Sequence, residues 1–141
     1  MDAKDRFQDN PNGVVSDELT GKFWLPKDAH GDLGKWVNWE EAVSYLQTMC
    51  QVYAGGFRDW RLPSKEEALS LYLPETSNLD FEGKTIHIHP VFVPKAAYFI
   101  WTCEVNDQGQ ALRINLRDGS MEYADKSSRQ FHSTRGVRND S

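Results

Sequence analysis

Cysteine is scarce in this 141-residue sequence. Cys50 and Cys103 are the only two, too few to read as a disulfide framework. Long apolar runs are missing as well, and nothing approaches the roughly 18 residues that a membrane-spanning helix requires, so no membrane insertion is expected. The first residues, Met1-Asp2-Ala3-Lys4-Asp5-Arg6, lack the apolar centre of a secretory signal. As written, the chain is expected in the cytoplasm, with export the alternative if a leader has been removed. Positive charge is in deficit: 16 Lys and Arg against 21 Asp and Glu leave a net charge of −5, which disfavours a general nucleic-acid binder. Internal repeats and low-complexity tracts are lacking. No cofactor motif or catalytic constellation stands out, so neither a cofactor nor a catalytic residue is assigned.

What the sequence does have argues for a folded domain. Its hydrophobic content is 39% and its aromatic content 12%, above the range of disordered chains. The length suits a single domain spanning 1–141, which at this size buries roughly two-thirds of its unfolded surface. Five tryptophans supply much of that payload.

Near the start, Phe7 and Val14-Val15 flank the turn formers Asp9-Asn10-Pro11-Asn12-Gly13, predicting two short strands. A calcium loop there fails the EF-hand pattern, since Gln8 and Leu19 stand where Asp and Glu belong. Leu19 to Leu25 reads as a further strand stopped by Pro26, and 30–34 as loop. Asn38 with Glu41 forms a capping-box pair. Beyond it Trp39, Ala42, Val43, Leu46, Met49 and Cys50 recur at helical spacing on one face. Gly55-Gly56 closes that helix region. Ser64 with Glu67 repeats the capping box and predicts a second helix over 65–73, ended by Pro74. Residues 75–95 read as a long surface excursion pinned by Phe81, Ile86, Ile88, Val91 and Phe92.

The last third reads as sheet. Tyr98–Val105 has the apolar character of a central strand, and 106–109 that of a turn. Leu112, Ile114 and Leu116 alternate with Arg113, Asn115 and Arg117 as in a half-buried strand. Asp118-Gly119 predicts a two-residue hairpin loop that pairs Leu116 with Met121 and Ile114 with Tyr123. Residues 133–138 read as one closing strand.

The joint between the helices, Gly55-Gly56-Phe57-Arg58-Asp59-Trp60-Arg61-Leu62-Pro63-Ser64, invites a functional reading of Asp59, Trp60 and Arg61. A structural role is expected instead: Trp60 fills core, while Asp59 and Arg61 hydrogen-bond loose backbone groups, with Leu62 and Pro63 completing the signature. Arg113, Asn115 and Arg117 share a strand face that suits a carboxylate, sulfate or phosphate, and Arg129 and His132 would enlarge it. Glu122, diagonal to both strand arginines, offers an explanation without a ligand. Glu104–Asp107 offers oxygens for calcium, and His87 with His89, completed by His132 or Cys103, a start for zinc, but a turn rich in Asn and Asp and two histidines alone do not define a metal site, and none is assigned. Both cysteines read as inert core thiols.

These words, in this order, resemble the Lcl C-terminal domain family, named for a bacterial collagen-like adhesin. The matching blocks are Arg6-Phe7-Gln8-Asp9-Asn10, Leu19-Thr20-Gly21-Lys22-Phe23-Trp24, Trp39-Glu40-Glu41-Ala42, Gly55 through Glu67, Ile88-His89-Pro90-Val91-Phe92 and Arg135-Gly136-Val137-Arg138. Together they span residues 6–138. The resemblance implies an α+β, C-type-lectin-like fold: two helices packed on twisted antiparallel sheets, a long loop region, and termini in adjacent strands. It also implies a non-enzymatic binding module for a protein or an anionic glycan, served by the long loop and late strands. The usual helix-to-last-strand disulfide of lectin-like domains is missing, because Gly136 stands where the second cysteine would be. That absence suits a reducing compartment and motivates an alternative, a cytoplasmic accessory subunit of a larger enzyme or assembly, with homo-oligomers compatible. A second alternative, an oxidase related to the formylglycine-generating enzymes, rests on the shared helix–Arg-Leu-Pro–helix arrangement and the two cysteines.

Overall fold

The computed structural model describes residues 3–139. After one helical turn, α1 (Ala3–Arg6), come three short strands, β1 (Phe7–Asp9), β2 (Val15–Asp17) and β3 (Lys22–Trp24). The turn formers at 9–13 separate β1 from β2 as expected. Leu19–Gly21 is turn, so the third strand is shorter than its sequence suggests. The next segment corrects an expectation. Residues 30–34 are not loop: Asp28 caps a short helix, α2 (Ala29–Leu33), by accepting from the Gly31 N–H. Asp28 is also buried, and its other oxygen accepts from the Ala97 N–H at 2.9 Å.

The main helix, α3 (Trp39–Gln51), starts at Asn38 with both halves of the capping box formed. It buries Ala42, Tyr45 and Leu46. The second capped helix, α4 (Lys65–Ser70), also has both halves of its box, at Ser64 and Glu67. It ends earlier than the sequence suggests, at Ser70. The 75–95 excursion contains a two-stranded pair, β4 (Asn78–Leu79) and β5 (Thr85–Ile86). Ile86, Ile88 and Phe92 are fully buried, so this stretch enters the core as well as crossing the surface.

Five strands follow: β6 (Phe99–Val105), β7 (Gln110–Asn115), β8 (Met121–Asp125), β9 (His132–Ser133) and β10 (Val137–Asn139). One sheet has the order β8-β7-β6-β9, with β6–β9 parallel and the other pairs antiparallel; the other has the order β1-β2-β3-β10. The expected single closing strand is therefore two strands in two sheets. Between them Thr134, Arg135 and Gly136 are buried, and Thr134 bonds back to the Trp101 carbonyl.

Alternation along β6 divides the core. Ile100 faces a cluster with Ala68, Leu71, Ile86, Phe92, Ile114 and Leu116, while Trp101 faces one with Leu25, Val37, Ala42, Leu46, Trp60 and Ala111. The chain is α+β, with α4 near the first cluster and α3 filling the second.

The Asp118-Gly119 hairpin is corrected in register. Met121 pairs with Ile114 and Glu122 with Arg113, two positions away from a two-residue loop. Leu116 leaves the ladder because its backbone is taken elsewhere: its N–H bonds to the Tyr98 carbonyl at 2.8 Å and its carbonyl accepts from His87 N–H at 3.0 Å. The shift is even, so the same side chains face the core. Gly119 has φ 78° and lies under the Tyr72 ring, where a β-carbon would come within 2.7 Å.

Candidate functional site

The signature joint is structural in its contacts. Trp60 is buried and donates from Nε1 to the Ala54 carbonyl at 2.9 Å. Arg61 holds Glu67 through two nitrogens at 2.7 and 2.8 Å, and its backbone pairs both ways with Val137. Burial pushes the Glu67 carboxyl up, but the Arg61 guanidinium and the Ser64 N–H outweigh it and hold its pKa at about 2. Asp59 corrects an expectation. Its main partner is not loop backbone but Arg138, which it grips at 2.5 and 3.2 Å, and this guanidinium holds its carboxyl below the usual range. Leu62 and Pro63 are buried, and the Pro63 carbonyl accepts from Cys103 N–H at 2.9 Å.

The late-strand arginines do not form an open basic surface. Arg113 lies over the Phe99 ring at 3.9 Å and pairs with Glu122, which stands directly opposite rather than diagonal. Arg117 covers the Tyr98 ring at 3.9 Å and bonds Asp80 at 2.7 Å and Glu82 at 2.9 Å, not Glu122. Asn115 accepts from the Arg117 N–H at 2.8 Å. Arg129 leaves the group to meet Glu41 on α3 at 2.7 Å. His132 is buried, stacked on Phe99 at 4.9 Å and on Trp101 at 4.6 Å. Its Nδ1 lies 2.9 Å from the Gln130 carbonyl and its Nε2 2.8 Å from Arg113. Nδ1 therefore donates and Nε2 accepts, the neutral tautomer. Burial drives its pKa down to about 4. With Arg113, Arg117 and Arg129 each held by a carboxylate, this group leaves little free positive charge for an anionic ligand.

The histidines of 87 and 89 turn to different neighbours. His87 rests on Tyr72 and points Nδ1 at the Thr76 carbonyl, whereas His89 packs on Phe7 and accepts from Val91 N–H. Among the described residues no three His, Cys, Asp or Glu side chains gather as metal ligands.

The cysteines are not both core thiols. Cys103 is exposed and Cys50 half-buried, both free. They line one groove of about 460 Å³ between α3, the signature joint and β6, with Trp39, Leu46, Trp60 and Leu62. Cys50 donates to the Trp60 carbonyl. Partial burial and the neighbouring Glu104 raise the Cys103 thiol's pKa, so it stays protonated and sluggish. A β-carbon at Gly136 would lie 2.7 Å from Leu25 and 3.0 Å from Leu46, so this packing has no room for a cysteine there.

The feature that sequence reasoning missed is a half-buried aromatic face. His30 stacks on Trp36 at 3.9 Å, and Trp36 sets its edge against Phe81 at 4.6 Å. Phe81, Tyr98 and Phe131 then lie nearly parallel, with centroids 5.6 to 6.0 Å apart. Phe131 takes φ 71°, a left-handed conformation that costs a bulky residue about 1–3 kcal/mol unless its surroundings enforce it. The rings come from four separate stretches of chain, and no spacing in the sequence groups them.

A family model matches this chain: the Lcl C-terminal domain, over residues 13–138. No curated protein matches it.

Proposed function

The chain belongs to the Lcl C-terminal domain family, and from that premise we propose that it is a non-enzymatic recognition module that contacts a protein through its aromatic face. The observation carrying this reading is the layer of Trp36, Phe81, Tyr98 and Phe131, drawn together from the stretch after α2, the long loop and the approaches to β6 and β9, and kept partly open to solvent. Aromatic side chains dominate protein contact sites because they bury large areas at low entropic cost. The anionic-glycan form of the reading is weaker, since Arg113, Arg117 and Arg129 each hold a carboxylate.

A C-type-lectin-like fold is part of the same proposal. It is supported by the two capped helices and the long excursion; the first and last strands share one sheet but stand at its opposite borders, with β10 beside β3, not adjacent to β1 as expected. An accessory subunit in a reducing compartment is the second reading, favoured by two unpaired thiols, one of them exposed. The test is a native pull-down with mass spectrometry, run with the wild type and a Trp36→Ala/Phe81→Ala variant of verified fold. A partner retained by the wild type and lost by the variant is expected. Equal recovery by both overturns the aromatic-face reading. Retention on a sulfated-glycan column at physiological salt would restore the anionic one.

A further inference from the structure

Asn12-Gly13 is the one Asn–Gly pair in the sequence; the other six asparagines precede Pro, Trp, Leu or Asp. Such a pair carries its own chemistry, because glycine has no β-carbon to keep its backbone nitrogen away from the neighbouring side-chain amide. The structure places the pair in the turn between β1 and β2, exposed to solvent. There the Gly13 N–H bonds the Asn10 carbonyl at 2.8 Å. Pro11 stands second in the turn and Asn12 does not have a positive φ, which makes the turn type I. Asn12 Oδ1 accepts from the Val14 N–H at 3.0 Å, and its Nδ2 donates to the Gly55 carbonyl at 3.1 Å. This last bond crosses 43 residues and ties the first turn to the signature joint. Contact between the two is close. Val14 is buried, and a β-carbon on Gly55 would collide with Val14 Cγ2 and lie 3.8 Å from the Trp60 ring.

We propose that Asn12 is a site of spontaneous covalent modification, restrained by its bond to Gly55, so that conversion marks chains whose first turn has parted from the joint. In the reaction the Gly13 nitrogen bonds to Asn12 Cγ as the Cγ–Nδ2 bond breaks. The proton of the Gly13 N–H leaves with Nδ2 as ammonia. Water then opens the five-membered imide at either carbonyl, giving aspartate or isoaspartate. Ring closure requires the Gly13 nitrogen to eclipse the Asn12 β-carbon, about 120° of ψ away from a type I turn. That rotation breaks the bond to Asn10 and draws the amide off Val14 and Gly55. The closed turn is therefore unreactive, and reaction proceeds through local opening. Neither product rebuilds the tie. Aspartate keeps the oxygen that Val14 uses but sets a negative charge against the Gly55 carbonyl. Isoaspartate adds a carbon to the main chain and displaces Val14 from its packing. The aromatic face is built from other stretches of chain, so this proposal stands apart from the proposed function.

Peptide mapping by mass spectrometry tests it, following amide-to-acid conversion in the full chain held in mildly alkaline buffer, folded or in urea. In urea Asn12 is expected to convert ahead of the other six asparagines. In the folded chain its conversion is expected to be about tenfold slower or more, yet measurable well below the unfolding temperature, because only the turn has to open. The converted fraction is expected to melt at a lower temperature, and so is Asn12→Asp, which exchanges only the donor to Gly55 for a charge. Equal rates in the folded and urea-unfolded chains overturn the proposal. So does a folded chain that converts only on global unfolding, or a melting temperature unchanged in both the converted chain and Asn12→Asp.

Discussion

His132 lies between Phe99 and Trp101 with its neutral tautomer fixed by Gln130 and Arg113. Its folded pKa of about 4 stands below the ordinary histidine value of 6.5. Between those values the unfolded chain binds the proton and the folded chain does not, so stability falls as pH drops from 6.5 toward 4. Thermal melts across this window are expected to show the loss, and His132→Gln to flatten it. Glu67 adds a lower window: its pKa falls from 4.5 to about 2, so its contribution is lost as pH falls through that range. In the signature joint, Trp60→Ala is expected to cost about 3–5 kcal/mol in denaturant unfolding, because a fully packed indole leaves a cavity. Its role was legible in the sequence. The partner of Asp59 was not, because Arg138 is 79 residues away and nothing local announces that pairing.

At the level of elements, both capping boxes could be read directly from Asn38–Glu41 and Ser64–Glu67, since caps are set by neighbours three residues apart. Asn38→Ala is expected to lower stability by about 1 kcal/mol, measurable as a lowered unfolding midpoint. The hairpin shows where local reading fails. Asp118-Gly119 signals a tight turn, yet Leu116 and Arg117 are claimed by Tyr98, His87, Asp80 and Glu82, and tertiary partners outweigh the turn preference. Gly119→Ala combines a clash on Tyr72 with a left-handed backbone. It is expected to destabilise by about 1–3 kcal/mol, while Asp118→Ala, on the exposed side of the loop, costs less. The short helix α2 escaped notice for a different reason: only five residues long, it depends on Asp28 and on its packing beside β9 rather than on an apolar period.

Across the whole molecule, the early strands and β6 to β8 were legible from alternation and turn residues, and the family from words distributed along the chain, but the β4–β5 pair and the division of the closing segment between two sheets were not. The candidate binding face was not, because rings at 36, 81, 98 and 131 meet only once the long loop folds back. The same holds for charge. Arg113, Asn115 and Arg117 alternate as if facing a ligand, but Asp80 and Glu82 reach Arg117 from more than 30 residues away.

The segment from His132 to Asn139 belongs to both sheets, pairing β9 with β6 and β10 with β3. Lys22 meets Asn139 across 117 residues. Neither four-stranded sheet closes until this segment has emerged from the ribosome, so earlier parts of the chain wait with unpaired edges. Such distant contacts make folding slow and all-or-none. Refolding is expected in one slow phase, and a chain cut before His132 is expected to yield no stable intermediate but a ready client for chaperones.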